Sequence, residues 1–132
     1  MKRLFLLVTI VLVILPAFLA FASEYVVKGK AGDYNVTVRI DRNPPARGYN
    51  NLDVVITDAT GKPVTDAGVQ VEYLMPSFPG RPPMMKYSTA AKQSDHHYVA
   101  QIDLSMDGVW NLLLKVTREG KTDTMEFTFV VR

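Results

Sequence analysis

Apolar residues at every second position, turn residues at short intervals and the lack of an amphipathic helical pattern after residue 22 predict an all-β chain. The specific expectation is an immunoglobulin-like antiparallel β-sandwich of about seven strands, preceded by an N-terminal signal peptide or anchor helix. The chain therefore divides into residues 1–22 and a single β domain over residues 23–132.

The leader has the three parts of a secretory signal. Lys2 and Arg3 form a basic start, Leu4 to Leu15 an apolar run, and Ala20-Phe21-Ala22 a small-residue cleavage site before Ser23. Pro16 and the A-x-A ending favour cleavage, while the 19 almost wholly apolar residues from Leu4 to Ala22 come close to the roughly 20 that span a bilayer. In either case Lys2 and Arg3 stay inside and the domain is exported, periplasmic or extracytoplasmic, touching the membrane only if residues 4–22 remain as an anchor. No cysteine follows the apolar run, which excludes a lipid anchor on that residue.

Within the domain the first clear strand sets Tyr34, Val36, Val38 and Ile40 against Asn35, Thr37 and Arg39. A loop from Asp41 to Asn50, with Pro44, Pro45 and Gly48, ends it. Leu52, Val54 and Ile56 mark the second strand, and Asp58 to Lys62, with Gly61, a turn. Val69, Val71, Tyr73 and Met75 share the inner face of the third, with Gln70, Glu72 and Leu74 outside. A fourth strand lies around Tyr87 to Ala91, followed by a polar turn from Lys92 to Asp95. Tyr98, Ala100, Ile102, Leu104 and Met106 form the longest alternation. Asp107-Gly108 then predicts a tight hairpin into the strand of Trp110, Leu112, Leu114 and Val116, because Asp-Gly supplies positive φ. Glu119-Gly120 predicts a second hairpin into Met125, Phe127, Phe129 and Val131.

Composition excludes several classes of function. The chain holds 15 Lys and Arg against 13 Asp and Glu, and Lys2 and Arg3 account for the whole excess, so residues 23–132 are formally neutral. Nothing indicates a nucleic-acid or anionic-membrane surface, which needs clustered basic residues. With no cysteine, thiol catalysis, thiolate metal sites and disulfides are ruled out. There is no G-x-S-x-G elbow, no H-E-x-x-H and no phosphate-binding glycine loop, and the acidic residues are scattered over polar strand positions and turns. The residues point to a non-catalytic protein.

The segment from Met75 to Tyr87, M-P-S-F-P-G-R-P-P-M-M-K-Y, concentrates four prolines and three methionines between two strands. Proline cannot feed a central sheet, so the segment reads as a loop stiffened by fixed φ angles, with its methionines on display. Met75, Met84 and Met85 offer soft thioether sulfur suited to Cu(I), the candidate cofactor; the structural alternative has Met75 ending a core face and Met84 and Met85 capping an edge or meeting a partner. His96 and His97 would supply borderline ligands if they reached this loop, but consecutive strand residues point to opposite faces. Tyr98, with Asp95, has the setting of a tyrosine corner, and Trp110 is the expected core aromatic.

Five stretches, taken together, carry a resemblance to a known family. Asp66-Ala67-Gly68-Val69, Tyr73-Leu74-Met75-Pro76, Pro82-Pro83-Met84-Met85, His97-Tyr98-Val99-Ala100 and Leu104 to Trp110 resemble the YtkA-like and FixH-like domain family, over about Tyr34 to Val131. The resemblance implies an exported or membrane-anchored immunoglobulin-like domain linked to metal handling or to assembly of copper-containing respiratory oxidases. Met75, Met84 and Met85 match the family's loop methionines and Trp110 its core tryptophan; the chain departs in having no histidine between Met75 and Tyr87. The expectation is a monomeric accessory or binding domain with the proline-methionine loop as its contact surface for Cu(I) or an envelope protein. The alternative is a metal-free structural interaction module of an envelope transporter or oxidase complex.

Overall fold

Eight strands make up the domain, all paired antiparallel. The computed structural model describes residues 23–76, 80 and 86–132; the expected leader, and Met84 and Met85, lie outside the described residues. The strands are β1 (Tyr25–Ala31), β2 (Tyr34–Ile40), β3 (Gly48–Thr57), β4 (Gly68–Leu74), β5 (Tyr87–Ser94), β6 (His97–Leu104), β7 (Gly108–Arg118) and β8 (Lys121–Val131). They form one sheet in the order β1-β2-β3-β6-β5-β4-β7-β8. The expected sandwich of seven strands is thus an eight-stranded, nearly closed, barrel-like sheet, and no helix occurs among the described residues.

The strand that joins the halves is β5. Its first part, Tyr87 to Ala91, pairs with β4, and its last part, Lys92 to Ser94, pairs with β6. Small residues (Ser88, Thr89, Ala90 and Ala91) occupy that change of partner. At the opposite seam β1 and β8 meet through side chains, with Tyr25 packed on Phe129 at 6.4 Å between ring centroids. Gly29 in β1 faces Met125 in β8 so closely that an added Cβ would lie 2.8 Å from the methionine methyl. That requirement explains why β1 escapes the alternation pattern: a glycine stands where the inner face needs no side chain.

The Asp107-Gly108 hairpin is corrected. Gly108 has the positive φ of 128° that the motif predicts. Yet β6 pairs with β3 and β5, and β7 with β4 and β8, so Ser105 to Asp107 crosses from one part of the sheet to another. Turn chemistry specifies a backbone angle; it does not choose the strand's partner. The second hairpin forms as expected, with Arg118 opposite Lys121 and both Glu119 and Gly120 at positive φ. The polar turn after β5 narrows to Asp95-His96, because Lys92 to Ser94 continue the strand.

Inward residues of every strand except the exposed β5 fill the core, with Trp110, Tyr98, Ile40, Leu52, Ile56 and Met75 among its largest fully buried side chains. Trp110 donates from Nε1 to the Met106 carbonyl at 2.9 Å and tilts against Tyr73 at 6.0 Å. Tyr98 fulfils the corner reading over a longer span. Its hydroxyl donates to the Val64 carbonyl and accepts from the Ala67 amide, both at 3.0 Å, pinning the β3–β4 connection.

Antiparallel order gives every odd-numbered strand the same direction, which sorts the connections to two ends. The β2–β3, β4–β5 and β6–β7 connections lie at one end, called the loop end, together with the start of β1 and the finish of β8. The other four connections lie at the opposite end.

Candidate functional site

The proline-methionine segment leaves β4 and returns to β5 at the loop end, where Tyr73 pairs across the ladder with Tyr87. The two rings stack at 5.4 Å, and the Tyr73 hydroxyl accepts a hydrogen bond from the Asp103 amide at 3.0 Å. Burial pushes the Tyr73 phenol above its ordinary pKa, which keeps it neutral and available for that contact. The base of the loop is therefore a rigid aromatic platform.

Met75 ends the core face rather than standing on display. It is 2% exposed, and its terminal methyl sits 2.8 Å from where a Cβ on Gly108 would be, so the glycine makes room for the thioether. Met106, counted in the sequence as part of the alternation, instead lies past the end of β6 and is 38% exposed at the loop end. Its displacement is visible only once Gly108 is known to start a crossing.

The histidines lie at the other end. His96 occupies the β5–β6 turn, exposed, with Nε2 3.7 Å from Asp95. His97 opens β6, and its Nδ1 lies 2.9 and 3.0 Å from the two carboxylate oxygens of Asp53 on β3, a pairing that favours the proton on Nδ1. The eight-residue β5 separates this turn from the loop's return, roughly 25 Å at about 3.3 Å per residue. The structure thus does not bring His96 or His97 together with Met75. Among the described residues no three His, Cys, Asp or Glu side chains are grouped to hold a metal ion.

Where the loop returns, Lys86 is tied to the sheet by a carboxylate that sequence reasoning treated as an ordinary outer-face residue. Glu72, nearly buried, has Lys86 Nζ 2.7 Å from Oε2 and Lys115 Nζ 2.9 Å from Oε1. The hydrogen bond from Lys86, then that from Lys115, holds its carboxyl below the ordinary glutamate value of 4.5. A depressed pKa stabilises the fold at pH above the unfolded-chain value, and that stabilisation disappears as pH falls through the folded value. Acid titration of the melting temperature should show a loss below about pH 4.5 that is smaller in Glu72→Gln; identical profiles would show that the lysines contribute nothing.

An open groove of about 350 Å³ lies over β2, β3 and β6 beside the entry to β1, with Arg39 among Glu24, Asp41 and Asp53. Asp41 is engaged by the amide and side chain of Asn51, and Asp53 by His97. Two of its carboxylates are thus already engaged by neighbouring side chains.

The sequence matches the YtkA-like family over residues 28–115, more than half of the chain. The chain belongs to the YtkA-like family. The family match runs from within β1 to within β7 and so includes both Met75 and the whole proline-methionine segment. Among solved structures, the crystal structure of the PmoD soluble domain from Methylocystis sp. ATCC 49242 (Rockwell) is similar in fold. It is 17% identical, with a TM-score of 0.52, over 81% of this chain and 96% of that one. Comparison with curated proteins gives no match.

Proposed function

We propose that this YtkA-like chain is a non-catalytic, exported accessory or binding domain whose proline-methionine loop is its contact surface and takes Cu(I). The observation that carries the reading is the common origin of the loop and the exposed Met106 at one rigid end of the barrel, where no histidine is found among the described residues. An all-thioether donor set suits a soft monovalent ion and excludes the hard cations that take oxygen ligands. Met84 and Met85 are the proposed donors, with Met106, exposed at the same end, as a third; Met75 underpins the loop from the core.

Anaerobic titration of the protein against a chromophoric Cu(I) chelator tests this directly. The protein should withdraw copper from the chelator, and Met84→Leu with Met85→Leu should abolish the withdrawal while leaving the circular dichroism unchanged. Leucine keeps the apolar volume and removes only the soft donor. Replacing His96 and His97 by Asn should leave the affinity unaltered. Failure of the unmodified protein to withdraw copper overturns the metal reading. The burial of Met75 favours the second reading in that event: a structural interaction module of an envelope transporter or oxidase complex, binding no metal.

A further inference from the structure

Seven large apolar side chains are more than a third exposed among the described residues, and six of them lie at the loop end: Val26, Tyr49, Tyr87, Met106, Val109 and Val130. Scattered exposed apolar residues need no explanation, but a ring of them around one end of a barrel does. Tyr49 is second in β3, Tyr87 first in β5, Met106 sits in the β6–β7 crossing, and Val109 pairs with Val130 where β7 begins and β8 ends. Strands of both parts of the sheet contribute.

The chain enters the domain at the same end. β1 runs away from the loop end, so Glu24 and Ser23 lead back towards it, and the apolar run of residues 4–22 stops one residue short of Ser23. Two residues reach at most about 7 Å. If that run stays in a bilayer, the only end of the domain the tether allows near the membrane is the one that carries the apolar ring. Tyrosine rings and aliphatic groups at headgroup depth are the usual furniture of such a face. Two of the cations at this end are paired, Arg47 with Asp107 at 3.6 Å and Lys86 with Glu72.

We infer that residues 4–22 remain attached as an anchor and that the loop end rests on the surface of a phospholipid bilayer through Val26, Tyr49, Tyr87, Met106, Val109 and Val130. The inference rests on the exported placement of the domain and is independent of copper. It assigns the loop a setting: a contact surface held at the membrane, where a membrane-embedded partner is within reach and a freely diffusing one must approach from the side.

The chain has no native cysteine, so single-cysteine labelling is unambiguous. Environment-sensitive fluorophores would be placed at Tyr49→Cys and Val130→Cys in the ring, and at Ala59→Cys and Lys121→Cys at the opposite end, in the full 132-residue chain reconstituted into phosphatidylcholine vesicles. The 11-residue β7 holds the two ends roughly 35 Å apart, beyond the reach of shallow spin-labelled lipid. The expected result is loss of emission at 49 and 130 on adding that lipid, and none at 59 and 121. Tyr49→Asp with Val130→Asp should weaken the quenching of a label at Met106→Cys, while one at Lys121→Cys stays unquenched, without changing the melting temperature. Equal quenching at both ends, or none, overturns the inference. Ring labels shielded from aqueous iodide but untouched by lipid quencher would show a second protein copy covering the face, and overturn it as well. A chain that fails to float with the vesicles overturns both the anchor and the docking, whereas failure of copper withdrawal touches neither.

Discussion

Replacing Trp110 by alanine is expected to cost about 3–5 kcal/mol of folding stability, the range for truncating a fully buried large aromatic. Trp110 is wholly buried, its indole N–H is paired with the Met106 carbonyl, and its ring lies against Tyr73 at the base of the loop platform. Truncation therefore opens a cavity, removes the partner of the Met106 carbonyl and undercuts the stack of Tyr73 on Tyr87. In a domain whose total stability is on the order of 5–15 kcal/mol, a large part of the population would unfold at moderate temperature. Urea unfolding of the variant measures the cost. A midpoint equal to that of the unmodified protein would show that the indole is not integral to the core.

Asn50→Ala is expected to cost about 2–4 kcal/mol, through polar groups rather than volume. Asn50 is the one uncharged polar side chain buried among the described residues, at 0% exposure. Its amide donates to the carbonyls of Ala46 and Gly48 at 2.6 and 3.0 Å, and its oxygen accepts from the Ala46 N–H at 3.0 Å. One side chain thus closes the β2–β3 connection from beneath, and alanine leaves three backbone groups to find water. Chemical denaturation should show the loss with an unchanged m-value, because the surface exposed on unfolding is the same. A loss under about 1 kcal/mol would mean that water replaces the amide at little cost.

Local physics made most strands legible. Alternation places Val36, Val38 and Ile40, or Trp110, Leu112 and Leu114, inside because the side-chain period of a strand is two and one face is buried. β1 was hidden by Gly29, whose function is to be absent beside Met125. Strand partners were not legible: nothing in Asp107-Gly108 distinguishes a hairpin from a crossing. At the candidate site the burial of Met75 follows from the phase of Val69, Val71 and Tyr73, and so could be read in advance. The grip of Glu72 on Lys86 and Lys115 could not, since it depends on which strands flank β4. The same holds for His97 and Asp53, 44 positions apart and adjacent only because β6 lies beside β3.

That pairing of β6 with β3 also governs how the chain reaches its fold. Gly48 must find Leu104, and Gly68 must find Thr117, before either half of the sheet has its middle. Only β1–β2–β3, β4–β5, β5–β6 and β7–β8 are near-neighbour hairpins. Long loops must close before the central pairings reward them, so folding is expected on the slow side of the single-domain range, on the order of milliseconds to seconds. No portion of the domain that lacks β7 and β8 can complete the sheet, because β4 waits for β7 and β7 is backed by β8. On the proposed export of this domain, the chain would cross the membrane unfolded and complete its sheet only once β8 has followed β7.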